Sequence, residues 1–461
     1  MEVKGANWSG SNVLVLGLGD TGLSAVRWLA RKGARVRAAD TRAAPPALGA
    51  LERDLPQVPV ALGEFTPALL AGVDAIVASP GLALRDPFLR EAAGRGIDVL
   101  GDVEVFAREM ASLRERPRLI GVTGTNGKST VTALAAAMGS AAGLRSRAIG
   151  NIGVPVLDAL ADAARDGMPQ LFAIELSSYQ LETTSSLPLD AAAMLNLSQD
   201  HLDRYDSLED YARAKERIFA HCRTRVVNRD DAYSRAMAGG ASSWSFGLDA
   251  PRDATQWGLD RTHDVMRHGA EAILPVTEMA MPGLHNVANG LAAHALGTAV
   301  DLSKDAMARA LREFRGLPHR VQLVAEARGV RFYDDSKGTN VGASVAALEG
   351  FDVPVVLIAG GDGKQQDFAP LAPAVKAHAR AVVLIGRDGS TIGAALRSTG
   401  ITLRSAKTMD DAVAAAYELA REGDAVLLSP ACASFDMFRN YGHRGDVFAA
   451  AARALAQAGA H

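Results

Sequence analysis

The chain has 461 residues, which is enough for about three domains of ordinary size. Hydrophobic residues make up 48% and charged residues 22%. This composition excludes a disordered chain, which would have too little apolar surface to offset the entropy of ordering, and the formal net charge of −3 disfavours a sequence-independent nucleic-acid binder, since such proteins are usually basic.

The first hundred residues alternate short apolar strands with amphipathic helices. A helix is predicted at Thr21–Lys32, and strands are predicted at Asn12–Gly17, Arg35–Asp40, Asp74–Ala78 and Ile97–Leu100. This alternation indicates an α/β domain with a parallel sheet, which we place at residues 1–101.

The alternation resumes in two further domains, predicted at residues 102–316 and 317–461. The first of these has a predicted helix at Thr130–Ala142 and strands at Arg118–Val122, Leu171–Leu176 and Ala191–Leu197, while residues 240–280 are less regular and are expected to form short antiparallel strands. The last domain has predicted strands at Val330–Asp334, Val355–Ala359, Val382–Ile385 and Ala425–Leu428. The predicted fold class is therefore α/β, with three domains and mainly parallel sheets.

The sequence also favours a particular compartment. No apolar run approaches the ~18 residues of a membrane span, and Met1–Gly10 is polar, unlike a signal peptide. The only cysteines, Cys222 and Cys432, lie far apart in sequence, which makes a disulfide framework unexpected. We therefore expect a cytoplasmic protein without a membrane span.

The sharpest motif is a Gly-rich loop between a predicted strand and a predicted helix. It comprises Gly124, Thr125, Asn126, Gly127, Lys128, Ser129 and Thr130. Backbone N–H groups and a helix N-terminus in such a loop hold phosphate oxygens. Lys128 would neutralise the β- and γ-phosphates of ATP, and Ser129 or Thr130 would reach Mg²⁺. The spacing departs from the usual P-loop, because five residues rather than four separate Gly121 from Gly127, and a Gly-rich turn without a ligand is the alternative.

A second Gly-rich loop, residues 17–22, also follows a predicted strand and precedes a helix. Gly17, Gly19 and Gly22 have the spacing of a dinucleotide fingerprint, and Asp40 ends the next predicted strand, where an acidic ribose partner would stand. The motif supports a nucleotide or pyrophosphate ligand rather than NAD in particular, and a tight turn without a ligand is again the alternative. Two such loops suggest an enzyme that handles ATP and a nucleotide-linked substrate.

The Lys128 loop resembles the ATP loop of the Mur ligase family and of folylpolyglutamate synthetase. Five further segments resemble the Mur ligases that add D-glutamate to UDP-N-acetylmuramoyl-L-alanine (UDP-MurNAc-L-Ala), namely Glu175–Glu182, Asn196–Tyr205, Gly316–Arg320, Asp335–Asn340 and Ser429–Ser434. The run from Asp335 to Lys337 is the most specific, because other Mur ligases carry different residues there. The sequence departs from the family pattern at Gly338, Phe435 and Tyr441, where Ala, Leu and Phe are expected.

The resemblance implies an ATP-dependent amide-bond ligase of cytoplasmic peptidoglycan synthesis. ATP would phosphorylate the substrate carboxylate, and the amine of D-glutamate would attack the acyl phosphate. The implied architecture is a Rossmann-like UDP-binding domain, a central P-loop ATPase-like domain, and a Rossmann-like C-terminal domain that binds D-glutamate and contributes to the ATP site. The implied cofactors are ATP and two Mg²⁺ ions. We expect a monomer whose partners are the two substrates and no nucleic acid.

The resemblance also implies roles for individual residues. The implied catalytic residues are Lys128, Glu175, His201 and Lys215, and the implied Mg²⁺ ligands are Ser129, Thr130, Glu175, His201 and a carbamylated Lys215. The implied ATP contacts are Gly124, Thr125, Asn126, Gly127, Lys128, Ser129, Thr130, Asn289, Arg320 and Asp335. The implied contacts to the UDP substrate are Gly19, Asp20, Thr21, Asp40, Thr41, Arg42, Ser79, Pro80, Gly81, Asn151 and His201. Those to D-glutamate are Lys337, Thr339, Lys364, Ser434, Phe435 and Tyr441.

For some of these positions, the residue pattern alone indicates a different role. Lys215 lies among charged residues in the predicted helical stretch Tyr211–Ala220 and would be placed on a solvated face. His201 would be a histidine of a surface loop. We expect Cys432 to be a buried structural thiol rather than a nucleophile, because ATP-dependent ligation needs no covalent enzyme intermediate.

Three alternative functions are open at this point. Folylpolyglutamate synthetase uses the same chemistry, but the N-terminal nucleotide loop and the Asp335–Asn340 segment argue against it. An NAD-dependent oxidoreductase built on the Gly17 loop would leave the Lys128 loop unexplained. A non-catalytic nucleotide-binding regulator would not need the full set of candidate Mg²⁺ and phosphate ligands.

Overall fold

The computed structural model of the protein describes residues 7–201, 204–239 and 243–458. These residues form three β-sheets, of five, nine and six strands. The chain divides into two compact units. The first unit comprises the described residues of 1–196, 209–274 and 290–311, and the second comprises those of 197–208, 275–289 and 312–461.

The first sheet is parallel throughout, with the strand order β3-β2-β1-β4-β5 of a Rossmann-like domain. Its strands are β1 (Asn12–Leu16), β2 (Arg35–Asp40), β3 (Val60–Leu62), β4 (Ala75–Ala78) and β5 (Asp98–Leu100). The helices of this region are α1 (Asp20–Arg31), α2 (Leu48–Asp54), α3 (Pro87–Gly94) and α4 (Asp102–Ser112). The central strands β1 and β4 are almost wholly buried, as expected for a parallel sheet covered on both faces.

The second sheet has the order β14-β13-β12-β11-β10-β9-β6-β8-β7. Its strands are β6 (Arg118–Thr123), β7 (Ser146–Gly150), β8 (Leu171–Glu175), β9 (Leu189–Met194), β10 (Cys222–Asn228), β11 (Ser243–Phe246), β12 (Gln256–Asp260), β13 (Val265–His268) and β14 (Glu271–Pro275). The helices along this part of the chain are α5 (Lys128–Ala141), α6 (Val156–Asp166), α7 (Ser178–Glu182), α8 (Leu208–Glu216), α9 (Ala232–Ala236), α10 (Leu284–Ala299) and α11 (Lys304–Glu313).

The third sheet has the order β15-β16-β20-β17-β18-β19 and is parallel except for the β15–β16 pair. Its strands are β15 (Gln322–Ala327), β16 (Val330–Asp334), β17 (Val355–Gly360), β18 (Ala379–Ile385), β19 (Thr402–Ser405) and β20 (Ala425–Leu428). The helices are α12 (Val341–Glu349), α13 (Leu371–His378), α14 (Gly389–Leu396), α15 (Met409–Leu419) and α16 (Tyr441–Ala458). Alternate side chains of β17 enter two apolar cores, one on each face of the sheet.

The predicted α/β fold with mainly parallel sheets is confirmed. The expectation of short antiparallel strands within residues 240–280 is confirmed by the β12–β13 pair, whereas β11 is parallel to both of its neighbours. The direction of β11 follows from its place in the sheet, where it pairs with β10 and continues the parallel part. The domain limits at residues 101 and 316 stay predictions.

Within the first unit, Glu104 joins α4 to the chain that follows α7. Its carboxylate is 1% exposed. It accepts hydrogen bonds from the backbone N–H groups of Ser185 and Ser186, at 2.7 and 2.9 Å, and from the Ser186 hydroxyl at 2.8 Å. A buried carboxylate with three donors is well compensated, so this contact links the first and second sheets firmly.

Two further observations concern the described residues as a whole. Among them, no helix is both long and apolar enough to cross a bilayer. Cys222 and Cys432 are free, and Cys432 is buried as expected, with its thiol pKa raised to about 12 by burial. A thiol with that pKa is a poor nucleophile at neutral pH.

The buried Trp257 of β12 ties the second sheet to α10. Its indole Nε1 donates to Nδ1 of His294, 3.0 Å away, and its ring stacks on His268 with centroids 3.9 Å apart. His294 is 3% exposed. Since Nδ1 accepts the indole proton, the imidazole must be the neutral tautomer protonated on Nε2.

This hydrogen bond predicts a pH-dependent stability. Burial lowers the pKa of His294 from 6.5 to about 3. Between these values the unfolded chain binds a proton that the folded protein does not, so the free energy of unfolding should fall on acidification by up to about 1.4 kcal/mol per pH unit. His294→Asn keeps an acceptor but cannot be protonated, and should flatten the curve. Urea unfolding of both proteins between about pH 7 and about pH 4.5 measures the difference; parallel curves would contradict the assignment.

Candidate active site

The Lys128 loop connects the buried strand β6 to the N-terminus of α5. Gly127 precedes the helix in the left-handed conformation, with φ of 82°. A Cβ on Gly124 would lie 3.0 Å from the Leu195 side chain. A larger residue would therefore be strained at position 127 and crowded at position 124. The backbone N–H groups at the start of α5 form the kind of site that binds phosphate.

Asn196, which closely follows β9, fixes the shape of this loop. Its side-chain oxygen accepts from the Asn126 N–H at 2.8 Å, and its backbone oxygen accepts from the Thr125 N–H at 2.9 Å. The Lys128 ammonium donates to the carbonyl oxygens of Gly124 and Thr125, at 2.9 and 2.8 Å. The positive charge therefore stays at the loop.

Glu175 lies beside the loop, because β8 is the parallel neighbour of β6 and Glu175 is in register with Val122. The side chain is 1% exposed. Its Oε1 accepts from Asn151 Nδ2 at 2.9 Å, whereas its Oε2 is buried without a hydrogen-bond partner. An unpartnered buried carboxylate oxygen is costly, and a bound cation would relieve that cost.

Lys215 is buried, so the interpretation from residue pattern alone, a solvated helix face, is wrong. Its exposure is 1%. Its Nζ donates to the Gly124 carbonyl at 2.8 Å and lies 4.6 Å from the centre of the Tyr211 ring. Tyr211 and Lys215 are four residues apart, so α8 turns both toward the phosphate loop.

The glycines of the Gly17 loop have different structural roles. A Cβ on Gly17 would lie 2.7 Å from that of Ser79, and a Cβ on Gly22 would lie 1.8 Å from the Gly17 carbonyl oxygen. Gly17 and Gly22 therefore allow β1, β4 and α1 to pack closely. A Cβ on Gly19 would meet nothing within 4 Å. Its backbone is open to a ligand, as in nucleotide-binding domains.

Asp40 stabilises this loop from the end of β2. Its carboxylate is 2% exposed and accepts from the Leu18 N–H at 2.6 Å. The Arg42 guanidinium also binds it, with Nε and Nη2 at 2.9 and 2.7 Å. Hydrogen bonding from Arg42 holds the pKa of Asp40 well below its usual range. The other predicted UDP-substrate residues of this sheet surround the loop ends and are partly or fully exposed, namely Asp20, Thr21, Thr41, Ser79, Pro80 and Gly81.

In the second unit, the predicted D-glutamate residues follow three adjacent strands. Lys337 and Thr339 follow β16, Lys364 follows β17, and Ser434 follows β20. These strands are parallel neighbours in the order β16-β20-β17, so their loops lie at one edge of the sheet. Ser434 is 2% exposed and Phe435 is 73% exposed.

Asp200 lies close to several of the predicted site residues of this unit. Its carboxylate is 7% exposed and lies 3.7 Å from the Lys364 ammonium and 3.5 Å from Asn340 Nδ2. It accepts from the His201 N–H at 2.9 Å, and His201 is held at a φ of 57°. Leu202 and Asp203 of the same motif lie outside the described residues.

Asp335 lies immediately after β16 and is 6% exposed. It accepts from the Ser429 hydroxyl at 2.7 Å. Burial raises the pKa of Asp335 to about 7, although the Ser429 hydrogen bond and the Arg320 charge lower it. A Cβ on Gly338 would lie 2.6 Å from the Asp335 carboxylate, so the glycine that departs from the family pattern makes room for this carboxyl. Asn289, in α10, donates to Asn286 at 3.3 Å.

Comparison with curated proteins gives close relatives over nearly the whole chain. The protein is 53% identical to UDP-N-acetylmuramoylalanine–D-glutamate ligase of Methylobacillus flagellatus over 95% of both chains. It is 52% identical to the ligase of the same name from Nitrosospira multiformis, over 97% of this chain and 96% of the relative. The chain belongs to the Mur ligase family.

Family models agree with this assignment, and a solved structure shares the fold. Residues 11–101 match the Mur ligase MurD-like N-terminal domain, residues 122–297 the Mur ligase middle domain, and residues 319–432 the Mur ligase glutamate ligase domain. A crystal structure of UDP-N-acetylmuramate-alanine ligase from Thermotoga maritima has the same fold, with a TM-score of 0.60 and 19% identity over 96% of this chain and 99% of that one. The predicted family and fold are thus confirmed.

Mur ligases are ATP-dependent and generally need Mg²⁺, and the residues of this Mur ligase fit such an ion. The buried Glu175 Oε2 has no hydrogen-bond partner among the described residues, and the hydroxyl residues Ser129 and Thr130 lie in the first turn of α5. Within the described ranges, no group of three or more His, Cys, Asp and Glu side chains could hold a metal ion. Hydroxyl, phosphate and water oxygens would therefore have to complete the coordination, as is usual for Mg²⁺.

Sequence reasoning missed several residues that organise the site. Asn196 and Asp200 were within a recognised motif, but only the structure shows that Asn196 fixes the phosphate loop and that Asp200 contacts His201 and lies near Lys364. Arg444 carried no sequence signal, because a lone arginine in a helix is usually solvated. It is 1% exposed and donates to Ser336 and to the Cys432 carbonyl.

Glu175→Gln tests the cation role of Glu175. The amide oxygen can still accept from Asn151, but the second oxygen is replaced by an NH₂ group that cannot bind Mg²⁺. We expect the variant to stay folded, because the Asn151 hydrogen bond is kept and a neutral amide costs less to bury than a carboxylate. It should lose the extra stabilisation that Mg²⁺ gives to the ATP complex. Thermal unfolding with ATP, with and without Mg²⁺, measures both effects.

The matched control is Glu216→Gln, which makes the same change at an exposed position of α8. It should behave like the wild type in both measurements. A Mg²⁺-dependent shift that survives in Glu175→Gln would remove Glu175 from the metal site.

Proposed function

We propose that the protein is the ATP-dependent ligase that joins D-glutamate to UDP-MurNAc-L-Ala, with ADP and phosphate as the other products. The phosphate loop beside a buried carboxylate with an unpartnered oxygen supports the reaction class. The identity of the substrates is inferred from the relatives, which share about half of their residues with this chain and are named for this reaction. The product would enter cytoplasmic peptidoglycan synthesis.

The reaction chemistry sets the requirements of the site. A carboxylate is a poor acyl donor, because its leaving group would be oxide. Transfer of the γ-phosphoryl group to the carboxylate gives an acyl phosphate with a good leaving group. The free amine of D-glutamate then attacks the carbonyl carbon, and the tetrahedral intermediate collapses to the amide and inorganic phosphate. Cations must first screen the repulsion between carboxylate and triphosphate.

The proposed ATP site is built on the Lys128 loop. The N–H groups of residues 124–130 would bind phosphate oxygens, and Lys128 would screen their charge. Asn289 and Asp335 would contact the adenosine part of ATP, and Arg320 would contact the γ-phosphate. We propose two Mg²⁺ ions. Glu175 with Ser129 or Thr130 would hold one, His201 would be a ligand of the second, and a carbamylated Lys215 is a further proposed ligand. Bound Mg²⁺ supplies electrostatic stabilisation of the transferring phosphoryl group.

The first sheet would bind the uridine diphosphate end of the substrate. The open backbone at Gly19 and the N-terminus of α1 support this, because both lie at the carboxyl edge of the parallel sheet. Asp40 would act mainly by holding the loop, since its carboxylate already binds Leu18 and Arg42. Asn151 and His201 would contact the part of the substrate near the reacting carboxylate.

D-Glutamate would bind at the carboxyl edge of the third sheet. It brings two carboxylates, and the loops there bring two ammonium groups, those of Lys337 and Lys364, together with the hydroxyl groups of Thr339 and Ser434. Phe435 is too exposed for its ring to line a pocket, so we propose that only its backbone contributes. The interaction of Asp200 with His201 suits a role in placing that histidine.

We propose that Lys215 is carbamylated. An unmodified ammonium would repel Mg²⁺, whereas a carbamate supplies an oxygen ligand of the kind that Mg²⁺ prefers. The complete burial of the side chain against the phosphate loop supports this assignment. We also propose that the enzyme is a cytoplasmic monomer, because its nucleotide substrates are made in the cytoplasm and every predicted role is filled by one chain.

Omitting substrates one at a time tests the proposed function. Phosphate release should require ATP, Mg²⁺, UDP-MurNAc-L-Ala and D-glutamate together, because the acyl phosphate is trapped only by the amine. L-Glutamate should support little release, and a folate acceptor or NAD should support none. Full activity with L-glutamate or with the folate would contradict the proposal.

Lys215→Ala tests the carbamate. A carbamate that binds Mg²⁺ predicts loss of most activity and partial rescue by acetate, a small carboxylate that can occupy the vacated space. Turnover at saturating Mg²⁺ with and without acetate is the measurement. The control is Arg213→Ala, at an exposed position of the same helix, which should be within about 0.5 kcal/mol of wild-type stability and fully active. Wild-type turnover of Lys215→Ala without acetate would reject the role.

A further inference from the structure

The ammonium group of Lys337 lies over an aromatic ring instead of beside an acid. Its Nζ is 3.9 Å from the centre of the Tyr441 ring. Among the residues that the structure describes, this nitrogen has no hydrogen bond and no ion pair. The side chain is partly buried. The face of the ring, which carries partial negative charge, therefore compensates an ammonium that has lost part of its hydration.

The ring itself is held in place by the residues around it. It meets the His319 ring edge to face, with centroids 6.2 Å apart at 81°, and His319 is bound to Asp334 at 2.6 Å. The backbone oxygen of Tyr441 accepts from the Ser336 hydroxyl at 2.8 Å. The first turn of α16 is thus fastened to the residue that precedes Lys337.

Arg444 makes the same connection from one turn further along α16. Its guanidinium donates to the Ser336 hydroxyl at 2.9 Å and to the Ser336 carbonyl at 2.8 Å. It also donates to the Cys432 carbonyl at 3.0 Å. The loops that follow β16 and β20 are therefore both anchored to the helix that carries Tyr441.

We infer that Tyr441 is a positioning residue that holds the Lys337 ammonium ready for a carboxylate of the amino-acid substrate. This inference rests on the proposed function, in which Lys337 binds D-glutamate. An acidic partner would hold the ammonium as well, but it would neutralise the charge that the substrate must meet. An aromatic face restricts the ammonium and leaves its net charge in place.

Two substitutions distinguish the contribution of the Tyr441 ring from that of its hydroxyl. Tyr441→Phe keeps the ring, and the hydroxyl has no hydrogen bond to any described residue, so this variant should lose several-fold less kcat/KM for D-glutamate than Tyr441→Leu. Tyr441→Leu keeps apolar bulk but removes the ring face, and should lower kcat/KM for D-glutamate roughly fivefold while KM for ATP is unchanged. Equal losses in the two variants, or no loss in Tyr441→Leu, would overturn the inference.

A double-mutant cycle tests whether the ring acts through the lysine. In a Lys337→Gln background, measured in single turnovers with enzyme in excess, Tyr441→Leu should cause no further loss in the rate with D-glutamate. The same loss in both backgrounds would mean that the ring acts independently of Lys337 and would overturn the inference.

Tyr417→Leu is the control for a general loss of packing. The Tyr417 ring lies 6.1 Å from that of Phe332, in the apolar cluster between β16 and the helices of that face. It should leave kcat/KM for D-glutamate unchanged, and an equal loss there would also count against the inference. Whether phosphate release by the wild type depends on D-glutamate is measured first and tests the proposed function. A failure of the proposed function is therefore distinguishable from a failure of the inference about Tyr441.

Discussion

Parallel strands impose the constraint on which every candidate site in this protein depends. A crossover helix must return the chain to the same end of the sheet, so all strands of a parallel group finish at one edge. In the first sheet that edge carries the Gly17 loop, in the second the Lys128 loop, and in the third the loops that contain Lys337, Lys364 and Ser434. Backbone N–H groups and polar side chains are thereby concentrated at the edges, while the apolar cores occupy the sheet faces.

The carboxyl edge of the third sheet also holds a buried charged group, Arg444. This arginine is surrounded by carbonyl and hydroxyl oxygens, no carboxylate of the described residues is hydrogen-bonded to it, and burial lowers its pKa to about 10. A buried charge is a cost to stability unless it is fully hydrogen-bonded. Three hydrogen bonds offset part of that cost, and they fix two loops that a less polar core would leave free.

Local patterns were sufficient for the buried central strands and for the position of the Lys128 loop, because a strand, a Gly-rich turn and a helix are encoded by neighbouring residues. They did not predict several less buried strands, such as β3, β7 and β19. They were insufficient for Lys215. Its burial depends on where α8 packs, and the charged neighbours in the helix favoured the opposite answer. The contact of Lys337 with Tyr441 joins residues more than a hundred positions apart and has no local signature. Gly338 also depends on a distant residue, because a Cβ there would lie 2.8 Å from the Ser429 hydroxyl oxygen.

The contact of Glu104 with Ser185 and Ser186 makes the first and second sheets parts of one compact unit. The Gly17 loop and the Lys128 loop therefore belong to the same compact unit. If the substrate is held by its nucleotide at one loop and reacts at the other, as we propose, its length must match the separation between the two loops. We expect the distance from nucleotide to carboxylate, as well as the chemistry of either end, to decide which molecules are accepted.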